Sequence, residues 1–488
     1  MTILITVAIY FGILLLISRL AGKGGNDAFF RGNRQSPWQL VAFGMIGASL
    51  SGVTFISVPG MVGAIDMTYM QMCIGFFFGY VVVAFVLLPL YYRHGFTSIY
   101  GYLDKRFGTE SHITGASFFI LSKLTGAAAR LYLVCLILQQ YVFDSLGIPY
   151  FITVIATLLM IWLYTRHSGI RALVWTDSLQ TLCLILALVL ILYKTISMLG
   201  MDAGEALRAV WNDSHSRIFE FGDWTSQQHF VKQFLSGVFI VIVMTGLDQD
   251  MMQKNLTCKN LHDAQKDLCS YGVLFMPVNF LFLSLGILMM MLYAKTGTPL
   301  PAGGDSILPD LIASGQMGHT VLILFTIGII ASAFSSADSA MTALTTSFCV
   351  DILDVENKRG KFYPQRERVR KVVHICMMAI FVGFILAFKA IGSTSVIDAI
   401  YVIASYTYGP LLGLFAFGMT TRLVPHGRYV PFIAILSPIV CYLIDLLIRN
   451  TTGYKFGYEM LMFNGLLTYM GLWLASGKKN VAEYKHKV

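Results

Sequence analysis

The chain has 488 residues, of which 56% are hydrophobic and 12% charged. A soluble globular protein carries about 25% charged residues, so this composition excludes a string of soluble domains, a disordered chain and a disulfide-built scaffold. The formal net charge of +9 invites a nucleic-acid partner, but the cations lie between long apolar runs, as in a polytopic membrane protein.

A helix needs about 20 mostly apolar residues to cross the hydrocarbon core. Thirteen runs qualify: 2–20, 37–63, 70–95, 112–141, 149–166, 171–198, 232–253, 268–294, 319–350, 371–391, 395–421, 428–448 and 457–476. The expected fold class is therefore all-α, with about 13 transmembrane helices. An odd number places the termini on opposite sides, and the positive-inside rule selects which. With the N-terminus outside, 25 of the 35 cations fall on the inner side and eight on the outer side. The inner set includes Lys23, Lys254, the run KRGKFYPQRERVRK at 358–371 and four lysines after residue 476. Two cations, Lys123 and Arg130, lie inside the fourth span. The expectation is a multi-pass protein of the cell (inner or plasma) membrane with its C-terminus in the cytoplasm. The positive surplus is then a topology signal and implies no nucleic-acid partner.

No basic residue precedes the first apolar run, and Arg19 and Lys23 follow it, the reverse of a cleaved signal peptide. Seven of the eight cysteines fall within or beside spans, so bland buried thiols are expected. The longest outer connection, 199–231, is acidic through Asp202, Glu205, Asp213, Glu220 and Asp223. Twelve residues follow position 476, too few for a signalling domain.

Spans that line a site tend to be broken by Gly or Pro, because unwound backbone at membrane depth must face a cavity or protein. The second span reads FGMIGASLSGVTFISVPGMVGA, with Gly47, Gly52 and Pro59 weakening the helix and Ser49, Ser51, Thr54 and Ser57 offering hydroxyls. The ninth, IGIIASAFSSADSAMTALTTSF, is dense in small hydroxyl residues. Small-residue helix packing explains either span alone. Buried charge tips the balance, since each intramembrane ionisable group costs about 2.5–3.5 kcal/mol on insertion scales. Arg130 lies near the centre of span 4, Lys123 two turns earlier on the same face, Asp177 early in span 6 and Asp338 in span 9 among Ser335, Ser336 and Ser339. Two readings stand. An Asp pairs with Arg130 structurally, or the carboxylate–hydroxyl cluster takes a cation while Arg130 grips an anionic solute bidentately. Oxygen ligands without Cys or clustered His point to an alkali cation. No Walker A sequence is present, so ATP drive is not expected, and chemistry on a substrate has no support.

The segments GIRALVWTDSLQ (169–180), TGLDQDMMQKNL (245–256), SSADSAMTALTTSFCVDIL (335–353) and YTYGPLLGLF (406–415) resemble the sodium/solute symporter family. Their spacing agrees over about residues 25–425. The resemblance implies an inverted five-plus-five repeat core with a broken first core helix. The repeats would be 37–198 and 232–422, preceded by an extra N-terminal helix (1–22) and followed by two C-terminal helices (428–476). Residues 47–59, GASLSGVTFISVP, are most similar to the bacterial sialic acid symporters.

That similarity implies a first sodium site made by the carbonyls of Gly47, Leu50 and Ser332 and the hydroxyls of Ser335 and Ser336. It implies a second from Asp177, Ser335, Ser339 and position 338, where Asp338 replaces the expected hydroxyl residue. For the solute it implies Ser49, Ser51 and Thr54, with Tyr69 and Gln71 from span 3. Arg130 would hold a carboxylate, and Lys123 would do so if the alignment of span 4 shifts. The sequence VIVM at 241–244 stands where the galactose-transporting branch has polar and tyrosine side chains, which disfavours a neutral sugar. The expected function is sodium-coupled import of a small, anionic solute such as sialic acid by alternating access. One or two sodium ions couple it, the bilayer is the surrounding partner, and no obligate protein partner is implied. Alternatives are a symporter for an amino acid, monocarboxylate, polyol, sugar or inorganic anion, or a sensor that keeps the transporter fold.

Overall fold

A computed structural model describes residues 2–20, 25–144, 147–391 and 396–476. Lys23, Lys478, Lys479, Lys485 and Lys487, which the charge count uses, lie outside the described residues. The elements used below are, in chain order, α1 (Thr2–Leu20), α2 (Trp38–Ser49), α3 (Gly52–Ile65), α4 (Tyr69–His94), α5 (Thr109–Leu138), α6 (Tyr150–Ser168) and α7 (Ile170–Leu199). They continue with α8 (Phe230–Gly246), α9 (Gln249–Asn255), α10 (Leu261–Thr296), α11 (His319–Ser347), α12 (Arg366–Ile391), α13 (Val396–Thr407), α14 (Gly409–Thr420), α15 (Val430–Thr452) and α16 (Met460–Leu474).

Among the described residues, seven helices are long and apolar enough to span a membrane unbroken, and three further candidates are bent pairs. The pairs are α2 with α3 at 58°, α8 with α9 at 70°, and the Ile400–Thr407 part of α13 with α14 at 44°. Shorter apolar helices at Ile5–Leu20, Tyr150–Arg166 and Met460–Leu474 take the remaining expected positions. The break in α2–α3 follows from the sequence. Leu50 (ψ 72°) and Ser51 (ψ 169°) leave helical geometry between Gly47 and Gly52, where glycine disfavours a helix. The break in α8–α9 was not anticipated. Its signals are Gly246 followed by Asp248, whose carboxylate caps the N–H groups of Asp250 and Met251 at 2.9 and 3.3 Å, a stop-then-restart pair.

The core is helix on helix. α7 packs most extensively on α11, and α4 on α8. The second contact is a backbone approach: a Cβ on Gly75 would stand 2.2 Å from Phe234 O, and one on Gly237 2.3 Å from Met72 O. Gly75 and Gly79 bracket three phenylalanines in a G-xxx-G spacing, the small-residue solution to close helix contact in lipid. Every residue of α11 from Gly328 to Ser347 is buried, which makes it the central post. The opposite extreme is α15, where Phe432, Ile435, Leu436, Ile439, Leu443 and Leu447 are all exposed and form a lipid-facing stripe.

The connections also tie to one another. Arg31 donates to Thr97, Ser36 pairs with Cys258, Arg106 donates to the carbonyls of Thr421 and Leu423, and Pro425 pairs with Ser476. Elsewhere, Asp66 meets His215 and Arg217, and Gln227 donates to Lys455 O.

Candidate functional site

The end of α2 and the middle of α11 are tied across the helix break. Ser332 Oγ donates to Leu50 O at 2.6 Å, and Ser336 Oγ donates to Ala48 O at 3.2 Å. A helix that stops leaves its last carbonyls without intrahelical N–H partners, and each carbonyl has two lone pairs. Gly47 is pinned from the other side, its N–H donating to Thr181 Oγ1 at 3.0 Å, while Thr181 donates to Asp177 O at 2.8 Å. A Cβ at Gly47 would lie 2.1 Å from Thr181 Oγ1, so only glycine lets α2 approach α7 this closely. Gly47, Leu50, Ser332, Ser335 and Ser336 thus belong to one α2–α7–α11 junction of carbonyls and hydroxyls, a donor set suited to a hard monovalent cation.

Next to it lies a buried charge cluster. Ser335 Oγ donates to Asp177 Oδ1 at 2.9 Å, and Lys254 Nζ pairs with Asp177 Oδ2 at 2.7 Å. Asp338 receives Tyr164 OH at 2.5 Å and Ser339 Oγ at 3.2 Å. The assignment of Lys254 to the inner-side topology count is thereby corrected. All seven residues of α9 are buried, because the 70° bend turns this half-helix inward and spends the lysine on a carboxylate. Neither Asp177 nor Asp338 pairs with Arg130 among the described residues, so the purely structural reading of that arginine is not realised.

The two cations of α5 have different fates. Lys123 Nζ lies 3.2 Å from Asp248 and 2.7 Å from Asp250, and Tyr408 OH adds a bond to Asp248 at 2.5 Å. Arg130 is half-buried, and no ion pair involves it among the described residues. Both line a cavity of about 80 Å³ together with Ser49, Phe76, Tyr80, Met244, Thr245, Phe275, Ser336 and Tyr401. The valine and methionine of the VIVM segment, Val241 and Met244, form part of its wall.

The remaining expected solute residues are scattered. Ser49 reaches the cavity and shares a short hydrogen bond with Tyr271, which accepts from Tyr80 at 2.7 Å. Ser51 and Thr54 are buried and are not among the cavity's walls. Tyr69 OH is 3.1 Å from Tyr401 OH, and Tyr69 lines a larger cavity of about 300 Å³ at the 199–231 end, with Ser57, Gln228, Gln233 and Tyr458. The Tyr69–Tyr401 contact therefore stands between the two cavities. Gln71 is turned away: it donates to Gln228 O at 2.9 Å and accepts from Glu220 N at 3.0 Å, which makes it an anchor of the 199–231 connection. Asp248, Asp250, Lys254, Tyr164, Tyr271 and Tyr408 were missed. The first three were legible as ionisable groups next to an apolar run in LDQDMMQK. The tyrosines carry no sequence signal of their own.

The sodium:solute symporter family model matches residues 29–427. The chain is 24% identical to the sodium/sialic acid symporter SiaT of Proteus mirabilis over 86% of this chain and 83% of that one. It is 25% identical to the sodium/sialic acid symporter NanT of Aliivibrio fischeri over 91% and 88%, and 25% identical to the human sodium/iodide cotransporter over 84% and 65%. Among solved structures, a substrate-bound outward-open Na+-coupled sialic acid symporter superposes with a TM-score of 0.81 at 21% identity, covering 98% of this chain and 99% of that one. A closed nucleobase-cation-symport-1 transporter, Mhp1, superposes at 0.57 with 14% identity over 95% and 99%.

Proposed function

The chain belongs to the sodium:solute symporter family, and from that premise we propose that it imports an anionic sugar acid of the sialic acid class with sodium. Arg130 carries this reading. A guanidinium with no ion pair among the described residues, beside a broken helix, is a costly feature that a solute carboxylate would neutralise bidentately, while the neighbouring Lys123 is already matched by two carboxylates. The names of the bacterial relatives supply the sugar acid. Val241 and Met244 in the wall argue against a neutral polyol or sugar, which would need hydroxyl partners. A smaller carboxylate is the second reading, favoured by the cavity's volume of about 80 Å³ and its apolar walls at Phe76, Ile240 and Phe275.

In the proposed cycle, sodium takes the carbonyls of Gly47, Leu50 and Ser332 and the hydroxyls of Ser335 and Ser336. It holds α2 against α11 and so fixes the cavity wall at Ser49. Solute then binds to Arg130, with Tyr69 and Tyr401 closing above it. Sodium promotes the step only if it binds the competent state preferentially. The N-terminus is placed outside and the 199–231 connection on the outer face, following the distribution of cations.

Energetics bound the coupling. A 100 mV potential is worth about 2.3 kcal/mol per charge and a tenfold gradient about 1.4 kcal/mol. One sodium drives a monovalent anion by about 1.4 kcal/mol net, or tenfold accumulation, since the potential cancels. Two would supply about 5.1 kcal/mol, several thousandfold. The test is uptake of labelled N-acetylneuraminate into proteoliposomes under inward sodium or potassium gradients. Uphill uptake with sodium alone supports the reading. No uptake under either gradient sinks the sugar-acid assignment, and competition by short monocarboxylates then decides for the second reading.

A further inference from the structure

The second sodium site implied by resemblance does not fit the residues present. Its anchoring carboxylate, Asp177, has both oxygens engaged: Ser335 Oγ donates to Oδ1 at 2.9 Å and Lys254 Nζ sits 2.7 Å from Oδ2. The two charged side chains are 1% and 2% exposed, so solvent does not compete for either. Asp338, the other carboxylate, accepts from Tyr164 OH and from Ser339 Oγ.

We propose that Lys254 is a tethered cation standing in the place of the second sodium, so that this chain couples its solute to one sodium ion only. The proposal rests on the sodium-symport reading above. An ammonium and a sodium ion carry the same charge, so the Lys254 ammonium 2.7 Å from Asp177 Oδ2 repels a sodium ion brought to the same carboxylate. Lys254 reaches this position because α9 bends inward, and Ser335 belongs to both the sodium junction and the Asp177 bond. The first ion is thereby linked to the tethered one through the Ser335 hydroxyl and the Asp177 carboxylate.

The experiment is the ratio of labelled sodium to labelled N-acetylneuraminate flux in proteoliposomes at clamped voltage, with the reversal potential of solute accumulation. The wild-type chain is expected to give a ratio of one, a sodium Hill coefficient of one, and accumulation near about tenfold for a tenfold sodium gradient at any voltage. Lys254→Met frees Asp177 and is expected to raise the flux ratio and the Hill coefficient toward two, with accumulation becoming voltage-dependent. Should that variant fail to fold, Lys254→Met with Asp177→Asn removes both charges and is expected to keep a ratio of one. A wild-type ratio of two overturns the proposal while leaving the symport reading intact. Uptake indifferent to sodium overturns both.

Discussion

Lys123 and Arg130 stand two turns apart on one face of α5 and line the same cavity, yet among the described residues only Lys123 is held by carboxylates, at 3.2 and 2.7 Å from Asp248 and Asp250. A cation that the protein neutralises is structural, and one that it leaves open is available to a ligand. The two therefore respond differently to mutation.

Arg130→Ala is expected to raise the KM for a carboxylate solute by at least about 30-fold, since truncating one partner of a buried hydrogen-bonded charge pair costs about 2–5 kcal/mol. The methyl ester of the solute serves as control. Wild-type protein should prefer the acid strongly over the ester, and the variant should not. Equal preference in both proteins would remove Arg130 from solute recognition.

Lys123→Met, in contrast, should act on stability. It strands Asp248 and Asp250, both buried, and breaking a buried pair costs about 3–5 kcal/mol. The expected result is a lowered unfolding temperature in detergent, partly restored by adding Asp250→Asn. Arg130→Met should leave the unfolding temperature close to wild type.

Ser335→Ala removes a hydroxyl that belongs to the sodium junction and also donates to Asp177. A hydrogen bond to a charged group contributes about 1.5–3 kcal/mol, so the sodium concentration for half-maximal uptake should rise about tenfold or more. Solute KM at saturating sodium should move much less. A sodium dependence unchanged from wild type would exclude Ser335 as a ligand.

Gly75→Ala tests the α4–α8 contact. Its Cβ would meet Phe234 O at 2.2 Å, and backbone cannot rotate aside. Overpacking of this kind costs about 1–3 kcal/mol, so folded yield and unfolding temperature should both fall. Gly63→Ala, whose nearest neighbour is Met290 Sδ at 3.7 Å, should be neutral in the same assay.

The helix break near Leu50 was legible because glycine, serine and proline within an apolar run weaken a helix wherever it sits. The break at Leu247–Asp248 was hidden by a run that is apolar to Leu247, and only the capping role of Asp248 reveals it. Gln71 shows the opposite failure. The family resemblance implied a solute contact there, yet its bonds go to Gln228 and Glu220 of the 199–231 connection, whose fold over α4 no local pattern encodes.

By itself the sequence determined the membrane architecture, the hydroxyl-rich central helix α11, the first broken helix and the presence of charges where charge is expensive. These are local properties, since apolar length, small-residue density and an ionisable group at depth need no partner to be recognised. Tertiary structure alone decided which charges neutralise one another: Lys254 with Asp177, Lys123 with Asp248 and Asp250, and Arg130 with none of the described carboxylates. A Coulomb partner is set by separations of a few ångströms between helices far apart in the chain, and hydropathy is blind to that distance.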